Sequence, residues 1–545
     1  MTRRGLVGLA VVLVALGADA RAQDDFSADR IKAHVTFLAD DLLEGREAGT
    51  RGHELAATYI ASQFSLLGLT PGGADGGYFQ PVDLVESTLT GRKPTVRLTG
   101  PMGTRTFTHG QTMVMRAPFA AGAVKVKAPT VFAGYGMTDA AVGFDDYAGL
   151  DVRGKIVVVL YGSPRGMDSE VGAHLQSEQA RVAAEHGAVA VLGVQTRLYA
   201  GAVTFEQFIG FVGDSATTWV RRDGTPNDPS HGLSAFGLVE SRAAAALFDG
   251  APRSLEQVLD EADKPGGRPK GFALKTHAEI AAAVRTRKYR SPTVIGIIEG
   301  SDPALRQEYV ALMGHADHIG LKKEPSVDRI NNGALDNAAG VATLIEVARA
   351  LSSGATRQRR SILVVANTAE EKGLLGAEYF AHNPTVPISR IVAAIDLDMP
   401  MLLYDFTDVV AYGASHSTLD EVFSRAGGAV GVALSPDPMP EQAVFVRSDH
   451  YAMVKAGVPA VMLATGMANG GQAAWSTFLA NTYHQPSDDL AQPIVWAAGS
   501  KFARLNYEVV RALANADDAP RWYANDYFGN RFAPSAPKVD RRRAH

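Results

Sequence analysis

Residues 364–380 read Val-Val-Ala-Asn-Thr-Ala-Glu-Glu-Lys-Gly-Leu-Leu-Gly-Ala-Glu-Tyr-Phe. The apolar run that leads into them, 362–366, predicts a buried strand, and the spacing of apolar residues from Leu374 onward predicts a helix. Two adjacent carboxylates, Glu370 and Glu371, stand between the strand and the helix. In an open α/β sheet, functional groups collect beyond the carboxyl ends of the strands. This stretch therefore predicts an α/β fold with a functional site at the end of its strand.

The same alternation extends over the second half of the chain, from Thr293 onward. Strands are predicted at 294–298, 309–314, 362–366, 391–397, 409–412 and 460–464. Helices are predicted at 338–351, 374–382, 418–426, 451–455 and 494–513. Alternation of this kind predicts a mostly parallel sheet that is covered by helices on both faces.

The first half of the chain has a different character. Residues 26–70 predict two amphipathic helices around a charged loop at 44–52, and residues 78–135 predict short strands separated by Gly and Pro. Residues 118–285 form a compositional unit of strands and helices without a catalytic cluster. The tail from Ala519, which carries Arg541, Arg542 and Arg543, is predicted to be irregular.

Length and composition narrow the class of protein. A chain of 545 residues predicts two or three domains, and 46% hydrophobic with 20% charged residues predicts a globular protein with a large core. The formal net charge of -5 argues against nucleic acid as the main partner. The absence of cysteine excludes disulfides, thiolate metal ligands and thiol nucleophiles.

The first 22 residues are typical of a secretory signal. Arg3 and Arg4 form a basic start, an apolar segment follows, and Ala20-Arg21-Ala22 is a small-x-small cleavage site. The apolar segment is too short to span a bilayer, and no later run reaches its length. We therefore expect an exported protein, periplasmic or secreted, without a membrane span. The sequence leaves the oligomeric state open.

Five polar groups stand at predicted strand ends or in loops of the second half. They are His315-Ala-Asp317-His318, Asp336-Asn337, Glu370-Glu371, Asp398 and Tyr483-His484. Each group alone has an ordinary explanation, since an Asp often caps a helix and a Glu often faces a helix N-terminus. All five at one edge of one sheet point instead to a shared site.

Imidazole and carboxylate without thiolate form a ligand set suited to zinc or a similar divalent metal. Two His and three carboxylates, one of them bridging, would hold two metal ions. Asp336, Asp398 and Glu371 would offset most of the metal charge, which leaves Glu370 free to act as a general base. Asp317, two residues from His315, could orient the imidazole as an outer carboxylate.

With these segments in view, the sequence resembles the co-catalytic di-zinc exopeptidases of metallopeptidase clan MH. That family includes bacterial leucyl aminopeptidases, glutamate carboxypeptidase and the catalytically silent transferrin receptor. The segments that carry the resemblance are Gly-His315-Ala-Asp317-His-Ile-Gly, Asn332-Gly-Ala-Leu-Asp336-Asn-Ala-Ala-Gly, Thr368-Ala-Glu370-Glu371-Lys-Gly-Leu-Leu-Gly, Asp396-Leu-Asp398-Met and Tyr483-His484-Gln-Pro-Ser-Asp. The early stretch 37–46, which ends in Glu-Gly-Arg46, and Arg447-Ser-Asp-His450 are also familiar in that family.

The resemblance implies a fold and a division into domains. The expected fold is a three-layer αβα, phosphorylase/hydrolase-like zinc exopeptidase domain with a mostly parallel mixed sheet, plus an inserted β-rich protease-associated domain. The expected division is a signal peptide at 1–22, the first part of the catalytic domain at 23–117, the insert at 118–285, the catalytic domain with its metal site at 286–516, and a tail at 517–545.

The resemblance also implies a role for each site residue. Asp336 would bridge two zinc ions, His315 and Asp398 would complete one site, and Glu371 and His484 would complete the other. The remaining implied roles are Glu370 as general base, Tyr483 as a hydrogen-bond donor to the oxyanion, and a cis peptide bond between Asp336 and Asn337. The expected activity is hydrolysis of N-terminal residues from peptides with a free N-terminus, with two Zn²⁺ per chain.

Arg447, Ser448, Asp449 and His450 are candidate substrate-binding residues. Three consecutive residues cannot align as a Ser-His-Asp triad, which is defined by geometry, so Ser448 is interpreted as a helix cap and His450 as a structural histidine. Three alternative functions stay open. They are a glutaminyl-cyclase-like transferase acting on N-terminal Gln, a carboxypeptidase-type member of the same family, and a non-catalytic binding protein.

Overall fold

A computed structural model describes residues 26–119, 122–323, 326–354 and 357–541. The strands are β1 Thr70–Pro71, β2 Phe79–Leu89, β3 Thr95–Gly100, β4 Gly103–Thr108, β5 Met113–Met115, β6 Gly122–Phe132, β7 Thr138–Asp139, β8 Phe144–Asp145, β9 Ile156–Tyr161, β10 Ala190–Gln195, β11 Ser215–Trp219, β12 Ala235–Val239, β13 Phe272–Ile298, β14 Tyr309–His315, β15 Ser361–Asn367, β16 Ile391–Asp396, β17 Asp408–Tyr412, β18 Ala433–Ser435 and β19 Ala460–Thr465.

The α-helices are α1 Ala28–Leu38, α2 Arg51–Leu66, α3 Ser169–Ser177, α4 Gln179–Glu185, α5 Arg197–Ala202, α6 Phe205–Val212, α7 Ser241–Ala244, α8 Leu255–Ala262, α9 Ala339–Ser353, α10 Leu375–His382, α11 Leu419–Ala429, α12 His450–Lys455, α13 Gly471–Asn481, α14 Trp496–Asn515 and α15 Tyr527–Phe532. An irregular turn over Ala334–Ala338 precedes α9. The predicted strands and helices of the second half are all present with small shifts at their ends, except that the strand predicted at 294–298 is only the last part of the much longer β13.

The second half forms a mixed sheet whose central strands are parallel. Its strands lie in the order β18-β17-β19-β16-β14-β15-β13, and the contacts from β19 to β15 are all parallel. Every residue of β15 is buried, as expected for a parallel strand covered on both faces. Helices α1, α9 and α14 pack against one another, and α9 and α14 contact β14; α12 contacts β16 and β19. The α/β class and the mostly parallel sheet are thus confirmed.

Strand β13 joins the two halves of the chain. Its first part pairs with β3 and β6, and its last part pairs with β2 and β15. A second parallel set, β6, β9, β10 and β12, continues the same sheet beyond β13 and carries helices of the middle of the chain. The predicted boundary between residues 285 and 286 falls inside β13.

The tail is irregular over most of its described length, as predicted, apart from one short helix and a few bridged residues. Helix α15 buries Phe528, and Trp522 pairs with Ser417 while Tyr523 pairs with Val539. The tail is ordered here because its aromatic side chains pack against the second half of the chain. Arg542 and Arg543 lie outside the described residues.

One buried histidine ties three parts of the chain together. His416 Nε2 lies 2.9 Å from Glu170 Oε2 on α3, and its Nδ1 lies 2.6 Å from Asp526 Oδ2 at the start of α15. Both partners are carboxylates, so the charged imidazolium donates to both. Burial lowers the pKa of His416, but the bonds to Asp526 and Glu170 outweigh it and raise the pKa to about 9.

This arrangement predicts a loss of stability at alkaline pH. A histidine whose folded pKa exceeds its unfolded value of about 6.5 contributes its full stabilisation below that value and loses it as pH rises through the folded pKa. We expect the free energy of unfolding to fall by about 3 kcal/mol between pH 6.5 and 9 through this one group. Urea unfolding at both pH values measures the change in wild type and in His416→Gln. An equal fall in both proteins would show that His416 is not its source.

Within the described ranges, no helix is both long enough and apolar enough to cross a lipid bilayer. The predicted signal segment, 1–22, lies outside those ranges.

Candidate metal centre

The parallel strands bring the predicted ligands to one edge of the sheet. His315 is the last residue of β14, which pairs in parallel with both β15 and β16. Glu370 and Glu371 follow the end of β15, and Asp398 follows the end of β16. Because neighbouring parallel strands end at the same edge, residues far apart in sequence meet there.

The carboxylate of Asp336 lies between the two histidines. His315 Nε2 is 3.3 Å from Asp336 Oδ1 and 3.2 Å from Asp398 Oδ1. His484 Nε2 is 3.3 Å from Asp336 Oδ2 and 3.2 Å from Glu371 Oε2. The five predicted ligands therefore form two groups that share Asp336.

Metal ions fit this donor set. Ligand atoms of His315, Asp336 and Glu371 all lie within 4.8 Å of one another. The Nε2 atom of His484 is buried and makes no hydrogen bond of acceptable geometry, although two carboxylates surround it. Such a nitrogen, aimed at carboxylate oxygens without bonding to them, suits a cation placed between the groups.

The field of the clustered carboxylates raises the histidine pKa values. Burial lowers the pKa of His484, but the nearby Asp336 and Glu371 carboxylates raise it to about 10. Burial likewise opposes the charged form of His315, and Glu370 and Asp398 nevertheless hold its pKa well above the usual range. Such a field favours any positive charge at this point, whether a proton or a metal ion.

The Asp317 carboxylate contacts the backbone of Glu370 instead of the His315 imidazole. His315 Nδ1 donates to the backbone carbonyl of Asp317 at 3.1 Å, and the carboxylate lies 4.0 Å from that nitrogen. Asp317 Oδ1 accepts the backbone N–H of Glu370 at 3.1 Å. The Asp317 carbonyl therefore orients the His315 imidazole, so that its Nε2 faces Asp336 and Asp398. The Asp317 carboxylate holds the backbone of Glu370.

Glu370 lies beside the two groups. Its Oε2 is 4.0 Å from His315 Nε2. Burial raises its pKa well above the usual range, and the negative charge of Glu371 acts in the same direction. The peptide bond between Asp336 and Asn337 is cis, as the resemblance predicts. The Asn337 amide donates to Leu397 O at 2.8 Å and so links this turn to the end of β16.

Two residues of the centre were given no role by the sequence analysis. His318 Nδ1 lies 2.6 Å from Glu371 Oε1, and the centroid of its ring lies 5.7 Å from that of His484. Asp488 accepts the backbone N–H groups of Leu335 at 2.9 Å and Asp336 at 3.0 Å. Both residues stand within the segments that carry the resemblance. Their positions in the sequence do not show which predicted metal ligand each side chain contacts.

A third such residue is Arg46, which is 1% exposed. Its guanidinium donates to Ala316 O at 3.2 Å, to Gly333 O at 3.1 Å, and also to the carbonyls of Leu38 and Asn332. No ion pair among the described residues involves it. Burial lowers its pKa to about 10, against the charges of Asp336 and Asp488. Arg46 thus binds two backbone segments of the centre, the one that follows His315 and the one that precedes Asp336.

A cavity of about 320 Å³ opens on the centre. It is lined by His315, Asp336, Glu370, Glu371, Asp398, Met399, Tyr412, Met439, Gln442, Val444, Arg447, Ser448, Met462, Met467, Trp475, Leu479 and Tyr483. The Tyr483 ring stacks on His484 with centroids 3.8 Å apart. Among the candidate substrate-binding residues, Arg447 and Ser448 reach the cavity, whereas Asp449 and His450 are fully buried behind it.

The interpretation of Ser448 as a helix cap is wrong. Asp449 precedes the first residue of α12 and makes no capping bond, and the first N–H of the helix, that of His450, donates to Asp396 Oδ2 at 3.1 Å. The Ser448 hydroxyl lies between two carboxylates instead, 2.8 Å from Asp396 Oδ2 and 2.7 Å from Asp398 Oδ2. A hydroxyl donor to a buried carboxylate outweighs a cap that water can replace.

Three comparisons bear on this site. Residues 293–510 match the sequence model of peptidase family M28. A segment of 141 residues is 31% identical to aminopeptidase NAALADL1 of Mus musculus, and 30% identical to the Rattus norvegicus protein of the same name. That segment covers 25% of this chain and 17% of the relative, so the chain spans about a sixth of the curated relatives it matches.

The fold has a solved counterpart. The structure of an aminopeptidase from Aneurinibacillus sp. strain AM-1 aligns with a TM-score of 0.54 at 19% sequence identity, over 92% of this chain and 97% of that one. At that identity the likeness shows the fold alone. The M28 match covers all the predicted metal ligands, which the folded chain gathers around Asp336. The similarity of this chain to peptidase family M28 is thus carried by residues 293–510.

Proposed function

We propose that this protein is an exported, zinc-dependent aminopeptidase that releases N-terminal residues from peptides. The observation that carries the proposal is the shared position of Asp336 between His315 with Asp398 and His484 with Glu371. The match of residues 293–510 to the model of peptidase family M28 supports the same proposal. Residues 1–22 support the exported location.

His315, Asp398 and Asp336 would hold one zinc ion, and Asp336, Glu371 and His484 would hold the second. Bound zinc would supply a Lewis acid for the scissile carbonyl and would lower the pKa of water to about 7. The paired metal ions would hold the attacking water and the peptide's free amino group together. A requirement for that amino group makes the proposed enzyme an aminopeptidase.

Glu370 would take a proton from the attacking water and return it to the leaving amine. The hydrogen bond from its own N–H to Asp317 fixes the backbone from which this carboxylate projects. Tyr483 lines the same cavity and would donate a hydrogen bond to the developing oxyanion. Four methionines and Trp475 line the cavity, which favours an apolar N-terminal side chain.

Metal removal tests this proposal. We expect the purified protein to contain two zinc ions per chain and to release leucine from leucyl-4-nitroanilide. A chelator should abolish the release because the five ligands have no other cation to assemble around, and added zinc should restore it. Activity that survives complete removal of the metal would contradict the proposal.

The same assay separates the alternative functions through its substrates. An N-acetylated peptide tests for a carboxypeptidase, which would free its C-terminal residue. A peptide with N-terminal Gln tests for a cyclase, which would release ammonia in place of an amino acid. Leucine release from the anilide without either of these products supports the aminopeptidase.

A further inference from the structure

Arg447 is exposed and lines the same cavity as the metal centre. It follows the short helical turn Val444–Val446, and Val444 and Gln442 line the cavity beside it. The remaining titratable residues of the cavity lining, apart from tyrosines, are four of the predicted ligands and Glu370. Arg447 is thus the one guanidinium of the described cavity wall.

No ion pair or side-chain hydrogen bond in the described part of the chain involves Arg447. Its positive charge acts on Tyr483, beside the metal centre, and on Tyr199 of α5 in the middle of the chain. Other arginines of the described chain have carboxylate partners, such as Arg181 with Glu178 and Arg425 with Glu421. Arg447 therefore presents five unused donors to whatever enters the cavity.

We propose that Arg447 binds a carboxylate of the substrate and thereby directs the enzyme to short peptides. The proposal rests on the aminopeptidase function given above. With zinc in place, the carboxylates of the centre are occupied, and Arg447 adds a positive charge that nothing else in the cavity offsets. A guanidinium binds a carboxylate through two parallel hydrogen bonds, which neither a peptide carbonyl nor an amide can reproduce.

The rest of the cavity indicates where the carboxylate comes from. Methionine, tryptophan and leucine side chains line the wall, so an apolar side chain enters it at lower cost than an acidic one. In a dipeptide, the C-terminal carboxylate lies about one Cα–Cα step of 3.8 Å beyond the scissile bond. The terminal carboxylate of a dipeptide with an apolar first residue is therefore the expected partner, and an acidic side chain is the other source of the same group.

Matched substrates test the proposal and distinguish the two sources. Leucyl-leucine carries a terminal carboxylate, leucyl-leucine amide carries none, and glutamyl-leucine amide carries only a side-chain carboxylate. We expect wild type to show a kcat/KM about tenfold higher for leucyl-leucine than for its amide. Preference for glutamyl-leucine amide over leucyl-leucine amide would instead assign the side chain as the source.

Variants assign the effect to Arg447. In Arg447→Met the ratio of kcat/KM between leucyl-leucine and its amide should fall to about 1. In Arg447→Lys the ratio should be intermediate, because the positive charge remains but the paired donors of the guanidinium are lost. Arg425→Met, on the exposed face of α11, should keep the wild-type ratio. A wild type without preference for either carboxylate, or an Arg447→Met variant that keeps the preference, would overturn the proposal.

Failure of the aminopeptidase function would be seen separately. If no substrate in the panel is hydrolysed by zinc-loaded wild type, the proposed activity is wrong. Calorimetry then measures the affinity of wild type and of Arg447→Met for leucyl-leucine and for its amide. The difference between the two affinities gives the carboxylate preference without turnover. Equal affinity for the acid and the amide in wild type would overturn the assignment of Arg447.

Discussion

Glu370→Gln should lower kcat by about 10²- to 10⁴-fold and leave the zinc content unchanged. The substitution keeps the size of the side chain and its backbone bond to Asp317, but the amide cannot accept the proton of the attacking water. Zinc should stay because Glu370 is not among the five residues grouped around Asp336. Steady-state kinetics on leucyl-4-nitroanilide and metal analysis of the same sample measure both quantities.

The neighbouring residue supplies the matched variant. Glu371→Gln removes a carboxylate oxygen 3.2 Å from His484 Nε2, so we expect it to lose zinc as well as activity. Comparing the zinc content of the two variants distinguishes a general base from a metal ligand. Activity alone would not distinguish them, because both variants should lose it. Loss of zinc in Glu370→Gln, or turnover within tenfold of wild type, would show that Glu370 is not the general base.

Arg46→Met should destabilise the protein by about 3 kcal/mol and weaken zinc binding by about 10- to 100-fold. The substitution leaves buried carbonyls of Leu38, Ala316, Asn332 and Gly333 without their donors. The relief of a buried charge offsets part of that cost. Zinc affinity falls because Ala316 adjoins His315 and Gly333 starts the turn that carries Asp336. Urea unfolding and competition with a fluorescent chelator measure the two effects.

Arg360 is the control for a buried arginine that lies away from the centre. It is also 1% exposed, and it donates to Glu308 Oε2 at 2.7 Å and to carbonyls that follow α14. We expect Arg360→Met to lose stability to a similar degree and to keep the zinc affinity of wild type. If both variants weaken zinc binding equally, the effect follows from general destabilisation and Arg46 has no specific part in the centre.

The sequence was sufficient for the strands that build the centre. Strand β14 was predicted at 309–314 and spans Tyr309–His315, and β15 was predicted at 362–366 and spans Ser361–Asn367. Both are continuous apolar runs that end in polar residues, so their ends are marked in the sequence itself. The position of the ligands then follows because parallel strands finish at one edge.

Contacts between residues far apart in the chain could not be predicted from the sequence in the same way. Arg46 is separated from Ala316 by 270 residues and bonds to backbone carbonyls, which every residue has, so no partner residue type identifies the contact. Strand β13 alternates exposed and buried residues and carries several Lys and Arg, and such a pattern gives no sign that one strand continues for 27 residues. The burial of Asp449 depends on its bond from Asn367, at the end of β15, and not on its neighbours in sequence.

Strand β13 also limits how the molecule can move. Enzymes with two lobes often close over a substrate at a hinge, where a few unpaired residues absorb the change in backbone dihedrals. Along β13 the backbone is bonded to β3 and β6 in one part and to β2 and β15 in the other, so a swing about this connection would break ladder hydrogen bonds. Adjustment to substrates of different size therefore falls to the methionine side chains of the cavity, whose unbranched thioethers change rotamer at low cost.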